Sequence, residues 1–136
     1  MNITFEVPGN PIALKRHRHT KAGFSYDPSK SDKADFLAMC MNNRPKKPFE
    51  GALSVKLEFF FVRPKSHYGM GKNAGRIKES APQEHITKPD VDNLIKFVLD
   101  SLNGIFYKDD RQVVNLLAFK TYTDNYPCVS ISIMEL

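Results

Sequence analysis

The chain is poor in cysteine, with two residues of this type, Cys40 and Cys128, among 136. They lie far apart and show none of the short spacings of a zinc site, so we expect free, buried thiols and no disulfide framework. No apolar run is long enough to cross a membrane, no signal peptide is visible, and the cytoplasm is the expected compartment by default. The sequence also lacks an internal repeat, a heptad pattern and a low-complexity tail, which excludes solenoid and coiled-coil architectures.

What the chain has in quantity is apolar and basic residues. Apolar residues make up 41% of the sequence, charged residues 26%, and ten residues are Phe. A chain of this length and composition forms a single domain, 1–136, with one core that needs no crosslinks. The net charge of +5 and the pI near 9.2 permit a polyanionic partner without proving one.

Alternating apolar residues predict strands at the start and in the middle of the chain. The first strand contains Ile3, Phe5 and Val7. The clearest strand covers 53–62, with Leu, Val, Leu, Phe and Phe at every second position from 53 to 61. Phe60 and Val62 on its other side indicate that this strand is covered on both faces or lies at a subunit contact.

A helix is predicted between these two strands. Asp27-Pro28-Ser29 is typical of a helix start, and the helix is expected to run from Lys30 to about Asn42. The residues predicted to form its buried face are Ala34, Leu37, Ala38 and Met41.

The last third of the sequence predicts two strands, 113–122 and 129–134, joined by a turn at 124–127. We expect these two strands to pair as a hairpin. The resulting order is β-α-β-α-β-β, an α+β domain with helices packed on one mixed sheet.

The stretch from Lys88 to Asp110 places acidic residues on both sides of an amphipathic helix. Asp90 and Asp92 lie at its start, Asn103-Gly104 ends it, and Asp109 with Asp110 follows. Spacings of three and four residues predict one apolar stripe, formed by Val91, Leu94, Ile95, Val98, Leu99 and Leu102.

Clustered carboxylates indicate a bound cation, because two unit charges about 4 Å apart repel by roughly 4 kcal/mol at an effective dielectric near 20. Oxygen ligands suit Mg²⁺ or Mn²⁺, the ions that metal-dependent nucleases use. A calcium loop is excluded, because Ile95 replaces its glycine and Ser101 its final glutamate. Simpler roles stay open: Asp90 as a helix cap, Asp92 or Asp100 paired with Lys96, and Asp109-Asp110 as an ordinary turn.

The pattern K-P-D-x-D-N-L-x-K-x-x-x-D-x-L-N-G, followed by Y-x-D-D-x-Q-V, resembles the RusA family of Holliday junction resolvases. An upstream A-P-x-x-H, which ends at His85, is similar to that of many members. The residues that match the main pattern are Lys88, Pro89, Asp90, Asp92, Asn93, Leu94, Lys96, Asp100, Leu102, Asn103, Gly104, Tyr107, Asp109, Asp110, Gln112 and Val113.

The resemblance implies a small homodimeric endonuclease that resolves four-way DNA junctions with Mg²⁺ or Mn²⁺. It places the family's catalytic acids, which would also hold the metal, on Asp90, Asp92 and Asp110, and its catalytic lysine on Lys96. Two symmetric nicks across a junction also call for two sites related by a twofold axis.

Helix geometry adds a condition to this site. Positions two apart in a helix point about 200° away from each other, so Asp90 and Asp92 face one ion only if Asp90 is extended, at or before the cap. We expect the chain to return Asp110 to this helix start, and Lys96 to reach the scissile phosphate. Asp109, Asp100 and Asn93 are expected to support the site from outside the ligand set, with Asp100 positioning Lys96. The number of ions stays open.

Cations gather at two further places. The residues expected to contact DNA are Lys15, Arg16 and Arg18 in an early loop, Lys65, Lys72 and Arg76 in the segment 63–87, and Lys88 beside the acids. The segment 63–87 has no clear period and is read either as a mobile basic arm or as a poorly ordered insertion. His85 either touches a phosphate or orders this segment.

Two other functions remain in view. A branched-DNA-binding module without catalysis would need only the basic loops, whereas the acidic set would oppose phosphate binding unless a cation intervenes. A phosphatase or phosphotransferase acting on small substrates is the weaker alternative, since it would not need a long basic segment.

Overall fold

The computed structural model describes residues 1–136, and its elements follow the expected order with one addition. The strands are β1 (Asn2–Pro8), β2 (Arg18–His19), β3 (Ser25–Tyr26), β4 (Leu53–Val62), β5 (Val113–Thr123) and β6 (Cys128–Glu135), and the helices are α1 (Lys30–Cys40) and α2 (Val91–Leu102). The α+β class and the mixed sheet are confirmed, and the addition is the β2–β3 ribbon inside the predicted basic loop. Neither helix has the length and apolar character that crossing a membrane requires.

The main sheet has the strand order β1-β6-β4-β5. Strand β6 is antiparallel to both β1 and β4, whereas β5 is parallel to β4. The predicted β5–β6 hairpin is therefore wrong, because the turn after β5 crosses the end of β4 and β6 enters the sheet on its other side. Burial explains the order: Val129, Ile131 and Ile133 of β6 are almost fully buried, as a central strand requires.

One face of the sheet carries the core. Val55, Leu57 and Phe59 of β4 are buried beside the apolar residues of β6, and α2 adds Leu94, Phe97, Val98 and Leu102. Full burial of each such side chain contributes about 1.5–3 kcal/mol. Because α2 is buried along this stripe, its first turn is held at a fixed position relative to the sheet.

Helix α1 packs only partly through the residues predicted for its buried face: Leu37 packs against the core, and Met41, just after the helix, is half-buried. Ala34 and Ala38 are exposed, whereas Phe36 and Cys40 are buried. The ring of Phe36 meets Phe97 of α2 edge-on, with ring centroids 5.5 Å apart. The larger aromatic ring therefore determines which side of α1 faces the core. Cys40 and Cys128 are both buried and free, as expected.

Strand β5 forms an open edge of the sheet, since β4 is its only neighbour. Several of its apolar side chains are exposed, among them Val114 at 65% and Leu117 at 55%, with Leu116 and Phe119 also accessible. Proteins usually cover or charge such an edge, because it offers unpaired backbone groups and apolar area to another chain. We call β5 with these four side chains the β5 edge.

Candidate active site

Asp90 occupies the N-cap of α2 in an extended conformation, with φ −71° and ψ 144°. This is the conformation that the spacing of Asp90 and Asp92 requires if both are to face one ion. The Asp90 carboxylate makes no capping hydrogen bond to the helix, so capping does not account for this residue. Asp92 lies in the first helical turn, and both residues are exposed. Two exposed carboxylates therefore lie at one end of α2.

The ion pairs that would give these acids a structural role are not formed. Lys96 makes no ion pair with Asp92 or Asp100, and Asp100 instead lies 3.9 Å from the ammonium of Lys33. The prediction that Asp100 positions Lys96 is therefore not supported in this chain. Lys96 is exposed and its charge remains available to a ligand beside the first turn of α2.

Asp110 begins a short 3₁₀ turn, Asp110–Gln112, just before β5. Asp109 caps this turn, accepting a hydrogen bond from the amide of Arg111 at 2.9 Å, and its own amide donates to Gln112 Oε1 at 2.8 Å. The Gln112 amide group donates to the carbonyl oxygens of Phe49 at 2.8 Å and Gly51 at 2.9 Å. Gln112 therefore fixes the acidic turn to the segment that precedes β4.

The pKa of Asp110 is raised above its ordinary value. The largest cause is burial, followed by a hydrogen bond with Asp109 and the negative charges of Asp109 and Asp100. Asp110 lies near the C-terminal end of α2, because Tyr107, three residues before it, donates its hydroxyl to the Leu99 carbonyl at 2.6 Å and accepts a hydrogen bond from the Gly104 amide at 2.8 Å. Along α2, Asp100 lies about 15 Å from Asp90, at a rise of 1.5 Å per residue.

A single chain consequently does not gather the three catalytic acids that the resemblance implies. Asp90 and Asp92 lie at the first turn of α2, and Asp110 lies beside its last turns. No group of three or more His, Cys, Asp or Glu side chains is placed where it could hold a metal ion. The expectation that folding returns Asp110 to the helix start is not met within one chain, and one chain alone does not fit the metal.

Lys120 of β5 holds the backbone on the N-terminal side of Asp90. Its ammonium donates to the carbonyl oxygens of Thr87 at 2.6 Å and Pro89 at 2.8 Å. The sequence did not single out this lysine, because an alternating strand pattern does not reveal which distant carbonyls a side chain reaches. The contact also places the C-terminal half of β5 next to Asp90, whereas its first residue follows the Asp110 turn.

The segment 63–87 is anchored at both ends by β4 and β5. The guanidinium of Arg63 donates to the Pro82 carbonyl at 2.6 Å and lies 4.3 Å from the ring centroid of Tyr122. His85, 8% exposed, stacks on Phe61 with ring centroids 4.1 Å apart. Burial and, secondarily, the charge of Lys120 lower the pKa of His85. Of its two predicted roles, His85 therefore fits the one that orders this segment.

The predicted DNA-contacting cations are all exposed, and none forms an ion pair within the chain. They are Lys15, Arg16, Arg18, Lys65, Lys72, Arg76 and Lys88. The loop that carries the first three begins beside the first turn of α2, because the amide of Leu14 donates to the carbonyl of Asn93 at 2.9 Å. Unpaired cations thus border the end of α2 that carries Asp90 and Asp92.

Most of the chain matches a known protein family. Residues 8–134 match the family described as endodeoxyribonuclease RusA. The chain belongs to the RusA family of endodeoxyribonucleases. The match covers every candidate site residue from Lys15 to Asp110, so the RusA assignment applies to the folded domain as a whole and makes the protein a nuclease of the hydrolase class.

Two relatives are similar to this chain over most of its length. The "Uncharacterized protein YqaN" of Bacillus subtilis (strain 168) is 36% identical over 142 residues, which cover 98% of this chain and 96% of the relative. The "Crossover junction endodeoxyribonuclease rusA" of Lactococcus phage r1t is 29% identical over 115 residues, covering 82% of this chain and 77% of the relative.

Proposed function

We propose that this RusA-family protein resolves four-way (Holliday) DNA junctions by paired, symmetric phosphodiester hydrolysis in recombination and repair. Its homodimer would act in the cytoplasm and use Mg²⁺, for which Mn²⁺ can substitute. The observation that carries the proposal is the end of α2, where Asp90 and Asp92 have free carboxylates among unpaired cations. The name of the phage relative, a crossover junction endodeoxyribonuclease, supports the same substrate.

A second copy of the chain would complete the acidic site. Lys120 lies beside the residues before Asp90, while Val113 follows the Asp110 turn, and these two strand positions are roughly 23 Å apart at about 3.3 Å per residue. A twofold axis beside the middle of the β5 edge would place Val113 of one chain opposite Lys120 of the partner subunit. Asp110 would then approach the Asp90 and Asp92 carboxylates of the other chain.

This arrangement also accounts for the exposed apolar side chains of β5. Pairing two edges would bury Val114 and Leu117, which the single chain leaves accessible, and would satisfy the open backbone groups of both strands. An isologous contact of this kind produces two identical sites. Two sites are what paired nicks in opposing strands require.

Each site residue then has a defined task. The carboxylates of Asp90, Asp92 and the second chain's Asp110 would hold the divalent ion, which supplies polarisation of the phosphate and an acidified water. Lys96, one helical turn beyond Asp92, would donate to the scissile phosphate or to the leaving oxygen. The exposed cations would hold the DNA backbone and fix which phosphate enters the site.

The test is cleavage of a synthetic four-way junction and of a linear duplex with the same arms, with Mg²⁺, with Mn²⁺ and with EDTA. We expect metal-dependent symmetric nicks in the junction and none in the duplex. Asp92→Asn should lower cutting by roughly 100-fold or more while junction binding is retained. A chain that binds junctions but never cuts them under any of these conditions would instead be the non-catalytic binding module.

Mixing two inactive variants tests the two-chain site directly. When Asp90→Asn and Asp110→Asn chains exchange subunits, every mixed dimer has one site with all three acids if the site is shared between chains. Mixed dimers make up half of the population, so about a quarter of the wild-type sites should return, given two sites per dimer. If each chain supplied its own complete set, the mixture would stay inactive.

A further inference from the structure

The ribbon formed by β2 and β3 presents one aromatic side chain to solvent. Phe24, at the turn between the two strands, is 72% exposed. Its backbone is nevertheless fixed, since Thr20 N–H donates to the Phe24 carbonyl at 2.7 Å and Phe24 N–H donates to Thr20 Oγ1 at 3.2 Å. Gly23 allows this tight turn with a φ of +86°. The backbone that carries the ring is therefore held in place, while the ring itself is exposed to solvent.

The segment that precedes this ribbon is hydrogen-bonded beside the end of α2 that carries Asp90 and Asp92. The amide of Leu14 donates to the Asn93 carbonyl, and the amide of Lys15 donates to the buried Ser29 hydroxyl, each at 2.9 Å. Asn93 directly follows Asp92 in the sequence. An exposed ring on a short, anchored ribbon is thus tethered to the first turn of α2.

The charge around Phe24 determines which partner fits. Lys15, Arg16, Arg18 and Lys21 are exposed, and none of them forms an ion pair within the chain. A protein surface that combines free cations with a bare aromatic ring matches the two exposed parts of unpaired DNA, its phosphates and the faces of its bases. A duplex offers only the phosphates, because its bases are stacked on one another.

We propose that Phe24 stacks on an unpaired or unstacked base at the branch point of the DNA substrate, while the neighbouring cations hold the flanking phosphates. The proposal rests on the proposed function, because only branched DNA presents such a base next to paired arms. It assigns to this chain a base-stacking contact that recognises the branch and not the sequence. Stacking is tolerant of base identity, since every base has an aromatic face.

The chain contains no tryptophan, so Phe24→Trp introduces a single fluorescent reporter at this position. In EDTA, where cutting is prevented, we expect a four-way junction to quench its emission and a linear duplex of the same arms to leave it nearly unchanged. Tyr126→Trp, at a side chain 54% exposed in the turn before β6, is the matched control and should respond to neither DNA. Equal quenching of the Phe24→Trp reporter by both DNAs would overturn the proposal.

Binding measurements supply the second readout. Phe24→Ala should weaken junction binding about 5- to 100-fold, the range expected for one lost base stack, and should change duplex binding by less than about twofold. Phe24→Tyr should bind as the wild type does. Unchanged junction binding by Phe24→Ala would overturn the proposal, as would a change in oligomeric state, because a second chain would then be what covers the ring.

The stacking contact of Phe24 and the proposed junction cleavage can be tested separately. If the wild type binds and cuts the junction but the Phe24 variants show none of the expected effects, only the stacking contact is wrong. If the wild type neither prefers nor cuts the junction in Mg²⁺ or Mn²⁺, the proposed function fails and the stacking contact fails with it.

Discussion

The ammonium of Lys120 donates a hydrogen bond to the carbonyl oxygen of Pro89 at 2.8 Å, and the next residue of that segment is Asp90. A second bond, to Thr87, is 2.6 Å long. One side chain of β5 therefore holds the backbone from which Asp90 extends. We expect Lys120 to act through the position of Asp90 without touching the DNA.

Replacement of Lys120 should separate positioning from binding. Lys120→Met is expected to lower the rate constant of cutting about 10- to 100-fold, as loss of a supporting partner does at metal sites, and to raise the Mg²⁺ concentration needed for half-maximal cutting. Junction binding in EDTA should change by less than about twofold, and Lys120→Arg should restore most of the rate. Cutting and binding are measured on the same junction.

Lys56→Met is the matched control for Lys120, because Lys56 lies on β4 and pairs with Glu58 at the surface, 3.2 Å away. It should behave as the wild type, since such surface pairs contribute little. Equal losses of binding and cutting in Lys120→Met, with an unmoved Mg²⁺ requirement, would instead make Lys120 a phosphate contact.

Gln112→Ala should lower both stability and cutting, because three hydrogen bonds around the Asp110 turn are lost together. The carbonyl oxygen of Gly51 would lose its donor and that of Phe49 would keep only the Lys108 amide, at 3.2 Å, which costs about 1–3 kcal/mol of unfolding free energy. Urea unfolding measures the first effect and junction cutting at saturating Mg²⁺ the second. The exposed Gln83→Ala serves as control, and a Gln112→Ala variant as stable and active as Gln83→Ala would contradict the assigned role.

Asp110→Asn should raise the melting temperature at pH 7 in EDTA. The folded-state pKa of Asp110 lies above the ordinary 3.8, so folding favours its protonated form, and this stabilisation is present below pH 3.8 and lost as the pH rises through the raised pKa. At pH 7 the ionised carboxylate opposes folding, and Asn removes that effect. The gain should therefore shrink as the pH falls toward 3.8.

Added Mg²⁺ should reverse the order of melting temperatures of the wild type and Asp110→Asn. Added Mg²⁺ stabilises whichever folded form binds it, so the wild type should gain in melting temperature and Asp110→Asn should not. Asp124→Asn, in the exposed turn after β5, is the control and should follow the wild type in both buffers. A melting temperature that falls on Asp110→Asn in EDTA would assign this carboxylate to the structure of the turn.

Arg16→Ala should weaken junction binding and reduce the slope of log affinity against log salt concentration by about one unit, the value for one lost phosphate contact. Lys47→Ala removes the same charge from an exposed residue between α1 and β4 and controls for net charge alone. Fluorescence titrations in EDTA at several salt concentrations give both slopes. A slope in Arg16→Ala equal to that of the wild type would remove Arg16 from the interface.

The sequence alone predicted those features that depend on residues close to one another along the chain. The stripe of α2 and the alternation of β4 each repeat with the period of their element, and the extended conformation of Asp90 follows from helix geometry alone. The predicted β5–β6 pairing was wrong because a short turn suggests neighbouring strands. The strand order depends instead on which strand has a neighbour along each of its two edges. Val129 and Ile131 carry that signal, but only by comparison with the exposed β5.

The candidate site was predictable in its residues and not in their assembly. The pattern around Asp90 identifies the acids and the helix between them, yet nothing along the sequence states that Asp110 stays near the far end of this 12-residue helix within one chain. The contacts of Lys120 and Gln112 end on backbone carbonyls, which every residue possesses. Contacts to backbone carbonyls cannot be predicted from residue types and are seen only in the folded structure.

Strand β5 pairs with β4 from Val113 to Thr123, and its length has a consequence for DNA. In the proposed homodimer the two acidic centres lie at opposite ends of the paired β5 strands. The number of residues in β5 therefore sets the distance between the two centres. Two inserted residues would lengthen it by roughly 7 Å. Such an insertion would change the offset between the two nicks without altering any residue that performs the chemistry.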